Sequence, residues 1–189
     1  MLTLGKVIYV SGGARSGKSF FSEKYIKENY SKKIYLATGI PFDEEMKDRI
    51  EKHKKQRGKN WKTIENYKSL KNILKKHIQG YDVILLDCLT NLITNYMLLE
   101  NNIVWDKATT KDVDNIREII IKEVNSLINF VKENDIDILI VSNEVGMGSI
   151  PDYPLGRFFR DINGKLNQFV ATESDEAYFI VSGLPIKLK

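Results

Sequence analysis

The chain has 189 residues, 42% of them apolar and 29% charged, the make-up of one ordinary globular domain spanning 1–189 with room for a proper core. Its single cysteine, Cys88, excludes an internal disulfide and any cysteine-based zinc site; no window is apolar enough for a membrane span or a secretory leader, so a cytoplasmic protein is expected. The net charge of +4 is uneven, with twelve Lys or Arg against three acids (Asp48, Glu51, Glu65) in 47–76, which suggests an anionic partner unless most of these lysines merely solvate a helix face.

The first apolar run, KVIYV (6–10), reads as a strand and leads straight into VSGGARSGKSFF (10–21). There Gly12, Gly17, Lys18 and Ser19 fill the pattern G-x-x-x-x-G-K-[ST], a loop whose backbone N–H groups surround phosphates at the positive end of the next helix. The glycines permit close approach. Lys18, expected to be a partly exposed loop cation, should reach the β- and γ-phosphates, and Ser19 should offer its hydroxyl to Mg²⁺. SFFSEKYIKENY continues as the helix this motif requires, and KKIYLAT (32–38) reads as a second strand. Residues 41–58 then read as a helix opened by Pro41 and Asp43 and closed by Gly58, with acids in its first turn and bases in its last. Arg49, His53 and Arg57, four residues apart, share one face. A neutral imidazole among cations can attack phosphorus while the guanidiniums hold phosphate oxygens. Taken alone, a histidine on a charged helix is more often plain surface. His77, in LKKHIQG, has no comparable setting and reads as a helix-end residue.

DVILLDC (82–88) is a third strand that would deliver Asp87 to the carboxyl edge of a sheet. Asp87 is then a metal carboxylate, the N-cap of a helix over LTNLITNY, or both. Cys88, directly after an apolar run, reads as a buried, inert thiol. NNIVWDKATT (101–110) has no clear assignment. Val113, Ile116, Ile120, Val124, Leu127 and Val131 make an amphipathic helix of 112–133. DILIVS (137–142) and AYFIVSG (177–183) complete five nearly continuous apolar strands, as in a parallel sheet buried on both faces. Strands alternating with helices give an α/β domain with right-handed crossovers. After the fifth strand, SGLP (182–185) is turn chemistry and IKLK would return as an antiparallel edge strand. NEVGMG follows the fourth run, at the edge where open α/β sheets bind ligands. Asn143 and Glu144 there either orient a substrate phosphate or metal, or simply build the turn. LGRFFRDINGKLNQFVA reads as helix despite Gly164, with Phe158, Ile162, Leu166 and Phe169 in a stripe suited to core or subunit contact.

Together GGARSGKS, DEEMKDRIEKHKKQRGKNWKTIE, ILLDCLTNLITN, VSNEVGMGSIPDYPLGRFFRDINGKLNQ and VSGLPIKLK resemble, in order and nearly end to end, the bifunctional adenosylcobinamide kinase / adenosylcobinamide-phosphate guanylyltransferase family of cobalamin assembly. The specific pieces are the A-R filling of the phosphate loop, the D-E-E-M helix with its histidine, and N-E-V-G-M-G. The resemblance implies a P-loop NTPase fold, an RecA-like, mostly parallel sheet flanked by helices with an antiparallel C-terminal edge strand, assembled as a homotrimer. It implies phosphorylation of the aminopropanol hydroxyl of adenosylcobinamide by ATP or GTP, then transfer of GMP from GTP to that phosphate through a guanylylated histidine. That role falls to His53, preceded by Lys52 where some relatives carry a second histidine, with Lys18 as the other catalytic residue. Nucleotide contacts are implied for Gly12, Gly13, Ala14, Arg15, Ser16, Gly17, Lys18 and Ser19, for Ala37, Thr38 and Gly39, for Lys54, Lys55, Gln56 and Arg57, and for Glu65 and Asp87. Ser19 and Asp87 would hold Mg²⁺.

Two rival readings stand beside this one. A small P-loop kinase of another metabolite would share Lys18, Ser19 and Asp87 but have no use for a nucleotidylated histidine. A nucleotide-dependent nucleic-acid-binding module would grip phosphates with 47–76. That segment has Trp61 and Tyr67 but no compact aromatic platform, so nucleic acid is not an expected partner.

Overall fold

The computed structural model describes residues 4–40 and 60–189. Seven strands, β1 (Val7–Gly12), β2 (Lys33–Ala37), β3 (Trp61–Glu65), β4 (Val83–Asp87), β5 (Asp137–Asn143), β6 (Glu176–Val181) and β7 (Leu184–Lys187), form one sheet in the order β3-β2-β4-β5-β1-β6-β7. Every pairing is parallel except β6 with β7. The expected C-terminal edge strand is therefore present. Its turn has positive φ at both Ser182 and Gly183, the two-residue geometry whose twist matches that of the flanking strands.

Five helices are described: α1 (Lys18–Asn29), α2 (Leu70–Lys75), α3 (Leu89–Leu99), α4 (Thr110–Glu133) and α5 (Pro154–Glu173), with a 3₁₀ turn at Trp105–Lys107. Strand side chains alternate between the two faces of the sheet. Val7, Tyr9, Leu36, Leu86, Ile138 and Ile140 pack with residues of α2, α3, α4 and α5, whereas Ile8, Val10, Leu85, Leu139 and Val141 pack with Ile26 of α1. The stripe of α5 is core on the first face: Ile162 and Leu166 are fully buried, and Phe158 and Phe169 pack against them.

The structure departs from the sequence reading in two elements. The basic block read as a solvated helix face contains β3, an edge strand paired with β2. Among its five residues Ile64 alone is buried, so it lacks the apolar run that marks a buried strand and carries the charge typical of a sheet edge. Helix α4 begins at Thr110 rather than 112. Thr109 caps it, accepting from the Asp112 N–H while the Asp112 carboxylate accepts from the Thr109 N–H, a reciprocal arrangement that satisfies two backbone donors. The helix expected over 41–58 lies outside the described residues.

Candidate functional site

The phosphate loop is built by steric exclusion. A Cβ on Gly12 would lie 2.6 Å from the Ile180 carbonyl oxygen and from Ser16 Oγ, and one on Gly17 would lie 3.0 Å from Gly183 Cα. Gly17, the capping residue just before α1, also has φ of 96°, a left-handed conformation. The Gly183 N–H donates to the Ser16 carbonyl at 2.8 Å, so the β6–β7 turn braces the loop from the side. That contact depends on β6 lying beside β1, an order the string does not reveal; the sequence marked 182–185 only as a turn.

Lys18 differs from expectation. It is 8% exposed rather than a partly exposed loop cation, because it forms the first residue of α1 and its Nζ folds back to donate to the Gly13 carbonyl at 3.0 Å. Ser19 follows it, half-buried at the helix start. Ser16 Oγ is buried and has no hydrogen-bond partner among the described residues.

Asp87 is the last residue of β4, and the capping position of α3 belongs to Cys88, which makes no side-chain cap. The N-cap alternative for Asp87 is thus set aside: one residue too many separates it from the helix. Its Oδ2 instead accepts from the Tyr35 hydroxyl at 2.8 Å. Asp87 lies opposite Ala37, and Ala37 opposite Glu65, so the three occupy one row at the carboxyl edge. Thr38, next to that row, is 1% exposed. Its hydroxyl donates to the Cys88 carbonyl at 2.7 Å and accepts from the Cys88 N–H at 2.9 Å, while Asn95 Nδ2 donates to its carbonyl at 2.6 Å. The Thr38 side chain therefore joins the ends of β2 and β4. Cys88 is the buried thiol expected. Burial pushes it up to about 11, the Asp87 carboxylate pushes in the same direction, and hydrogen bonds from Asn91 and Thr90, with the Lys18 charge, partly oppose them.

Gly12 pairs with Asn143, and the Glu144 N–H donates to the Gly12 carbonyl at 3.0 Å. Asn143 is held on several sides. Its backbone and side-chain N–H groups donate to Thr90 Oγ1 at 3.0 and 3.1 Å, and its carbonyl accepts from Asn163 and Asn167 at 2.9 and 3.2 Å. Ser142 Oγ completes the frame by donating to Asn167 Oδ1 at 2.6 Å. Such a network fixes a strand end because each buried polar group would be costly unpaired. Asn143 is thereby fixed at the end of β5.

The carboxyl edge gathers Gly12 to Ser19, Ala37 to Gly39, Glu65 and Asp87. His53, Lys54, Lys55, Gln56 and Arg57 lie outside the described residues. Sequence reading missed Tyr35, Thr90, Asn95 and Gly183, whose roles depend on pairing register and strand order. His77 sits just past α2, with its Nδ1 3.1 Å from Lys62 Nζ at the opposite end of β3 from Glu65. Ser19 and Asp87 supply hard oxygen donors of the kind Mg²⁺ accepts one or two at a time beside substrate phosphates. Among the described residues no helix is long and apolar enough to cross a membrane.

A family model described as cobinamide kinase / cobinamide phosphate guanyltransferase matches residues 8–188. The bifunctional adenosylcobalamin biosynthesis protein CobU of Escherichia coli (strain K12) is 37% identical over 188 residues, 97% of this chain and 99% of that protein. CobU of Salmonella typhimurium (strain LT2) is also 37% identical, over 187 residues, with 97% and 99% covered. The bifunctional adenosylcobalamin biosynthesis protein CobP of Pseudomonas aeruginosa (strain PAO1) is 33% identical over 180 residues, 95% of each chain.

Proposed function

The chain belongs to the cobinamide kinase / cobinamide phosphate guanyltransferase family and is a bifunctional enzyme of that kind, and from this we propose how one sheet edge serves two reactions. The observation that carries the proposal is the placement of the phosphate loop and Asp87 at one end of the sheet, where Gly12 of β1 pairs with Asn143 and Asp87 of β4 with Val141 on the two sides of β5, within a chain matched from end to end by one family.

In the first reaction the γ-phosphoryl group of ATP or GTP passes to the aminopropanol hydroxyl of adenosylcobinamide. Such transfer rests on positioning and charge stabilisation. The loop amides and Lys18 hold the phosphates, and Ser16 Oγ is a donor that a phosphate oxygen would satisfy. Ala37, Thr38, Gly39 and Glu65 form the edge along which the nucleoside lies, Thr38 by fixing the end of β2, since its hydroxyl and backbone groups are bonded to Cys88, Asp87 and Asn95. Ser19 and Asp87 would hold Mg²⁺, which when bound supplies charge neutralisation at the phosphates. The Tyr35 hydroxyl orients the Asp87 carboxylate for that task.

In the second reaction His53 acts as nucleophile. An imidazole nitrogen forms a bond to the α-phosphorus of GTP as the α–β linkage breaks, and pyrophosphate leaves with that electron pair. A phosphate oxygen of adenosylcobinamide phosphate then attacks the same phosphorus, breaking the P–N bond and freeing His53. The cations Lys54, Lys55 and Arg57 and the neighbouring Gln56 hold the nucleotide beside it. We place the enzyme in the cytoplasm as a homotrimer. Exposed Leu184, Ile186 and Leu188 on the outer hairpin are in keeping with contact between copies.

Supplied with adenosylcobinamide, ATP and GTP, the wild-type protein should form the phosphate and then the GDP-linked corrinoid, read by mass spectrometry. His53→Asn should stop at the phosphate, and a folded Lys18→Ala should form neither. A GDP-linked product from His53→Asn, or both reactions from Lys18→Ala, would overturn the assignment.

A further inference from the structure

We propose that Glu144 accepts the proton of the acceptor hydroxyl in the phosphorylation step, at a corrinoid subsite formed by the β5–α5 connection; the proposal rests on the kinase reading above. The Glu144 N–H is bonded to the carbonyl of Gly12, the first glycine of the phosphate loop. Glu144 therefore stands one residue beyond the sheet edge, beside the phosphate loop and at the end of the sheet where open α/β folds bind ligands. Its setting is fixed from below by the Thr90, Asn163 and Asn167 frame around Asn143. Glu144 Oε1 accepts from the Gly146 N–H at 2.6 Å, and Oε2 has no hydrogen bond among the described residues. Asp87, the carboxylate assigned above to Mg²⁺, ends β4 on the far side of β5 from β1 and is bonded by Tyr35. The two acids thus have separate places and separate partners.

Beyond Glu144, Met147, Ile150 and Tyr153 are 80, 70 and 61% exposed, yet the loop that carries them is pinned. Arg160 Nη2 donates to the Gly146 carbonyl at 2.8 Å, and Arg157 Nη1 to the carbonyls of Pro151 and Asp152 at 3.1 and 2.7 Å. An ordered apolar shelf joined to the phosphate edge suits a macrocycle with broad apolar faces, held so that its side-arm hydroxyl reaches Glu144. In the step itself the hydroxyl proton passes to Glu144 Oε2 and the alcohol oxygen bonds to the γ-phosphorus. The bond from that phosphorus to the β–γ bridging oxygen breaks, and the nucleoside diphosphate leaves with the electron pair.

The chemistry distinguishes this role from nucleotide or metal binding. An alcohol must lose a proton to become a phosphate ester, whereas the acceptor of GMP is a phosphate that is already ionised and needs no base. Glu144→Gln retains an oxygen able to accept from the Gly146 N–H, so the loop is preserved. It should lower kcat for adenosylcobinamide phosphorylation about 100-fold or more. The KM for ATP, and GMP transfer to supplied adenosylcobinamide phosphate, should stay within about threefold, a split that a structural or metal-binding role would not give. The paired change Met147→Ser/Ile150→Ser should raise the KM for adenosylcobinamide at least about fivefold, with the KM for ATP unchanged. A parallel fall of both reactions in Glu144→Gln, or full phosphorylation by it, overturns the role of Glu144. An unchanged corrinoid KM, or dissociation of the oligomer, in the paired variant overturns the shelf. A wild-type protein that does not phosphorylate adenosylcobinamide overturns the kinase reading, and this proposal with it.

Discussion

Thr38 has its hydroxyl occupied in both directions, donating to the Cys88 carbonyl and accepting from the Cys88 N–H. Thr38→Val keeps the shape but leaves a buried N–H unpaired, a loss of about 1–3 kcal/mol. Denaturant titration should show that loss, and Thr38→Ser should recover most of it; equal stability of Thr38→Val would refute the role. The family resemblance implied Thr38 as a nucleotide contact, and only the β2–β4 register reveals the neighbour that occupies its hydroxyl. Lys18 is a similar case. Its place in the motif was legible, but its burial was not, since that follows from the loop turning back to present the Gly13 carbonyl. Cys88 was legible throughout: an apolar run before it and a helix after it leave a thiol no route to water. With the thiol at about 11 and no exposure to speak of, native protein at pH 8 should react with a thiol reagent only as fast as it unfolds. Rapid labelling without unfolding would contradict that burial.

Among the elements, the junction of β1 with β6 carries a readable pH dependence. Lys6 pairs with Glu176, which also accepts from the Tyr25 and Tyr178 hydroxyls. Burial alone would raise the Glu176 carboxyl, but the hydrogen bonds from Lys6 and Tyr178 and the Lys6 charge outweigh it and hold it below the ordinary range. A carboxyl lowered in the folded state stabilises fully above its unfolded value, about 4.3, and that contribution fades as pH falls through the folded value. The Lys6 ammonium is raised, chiefly by its hydrogen bond to Glu176, so its share is complete below about 10.4 and fades as pH rises through the folded value. Solvent reaches the pair through Lys6, 38% of whose side chain is exposed, which limits the effect to about 1 kcal/mol. Glu176→Gln should therefore lower stability at pH 7 and flatten its decline below pH 4.5 in denaturant titrations. A variant with an unaltered acid limb would refute it. The buried strands were legible because continuous β-branched runs have few other fates. Strand β3 was not, since an edge strand with Ile64 as its one buried residue has the composition of the basic helix face it was taken for. The Thr109–Asp112 capping box was present in the string, and it accounts for the earlier start of α4.

For the molecule as a whole, the strand order determines which distant segments meet. It sets β5 and β6 on either side of β1, so Glu144 and Gly183 border a phosphate loop from which they are more than a hundred residues removed in sequence. Neither neighbour can be inferred from spacing; the loop itself, with its strand and helix, could be read directly. On the proposed reading two chemistries share one nucleotide edge, and covalent histidine chemistry is what would separate this enzyme from a plain kinase. The most direct measurement is to incubate wild-type protein with GTP labelled at the α-phosphate, without corrinoid, and to locate the label by peptide mass spectrometry. GMP is expected on the peptide containing His53, stable to alkali, labile to acid and lost on adding adenosylcobinamide phosphate. Label on another residue, or no covalent label in a protein that still makes the GDP-linked corrinoid, would contradict the assignment of His53.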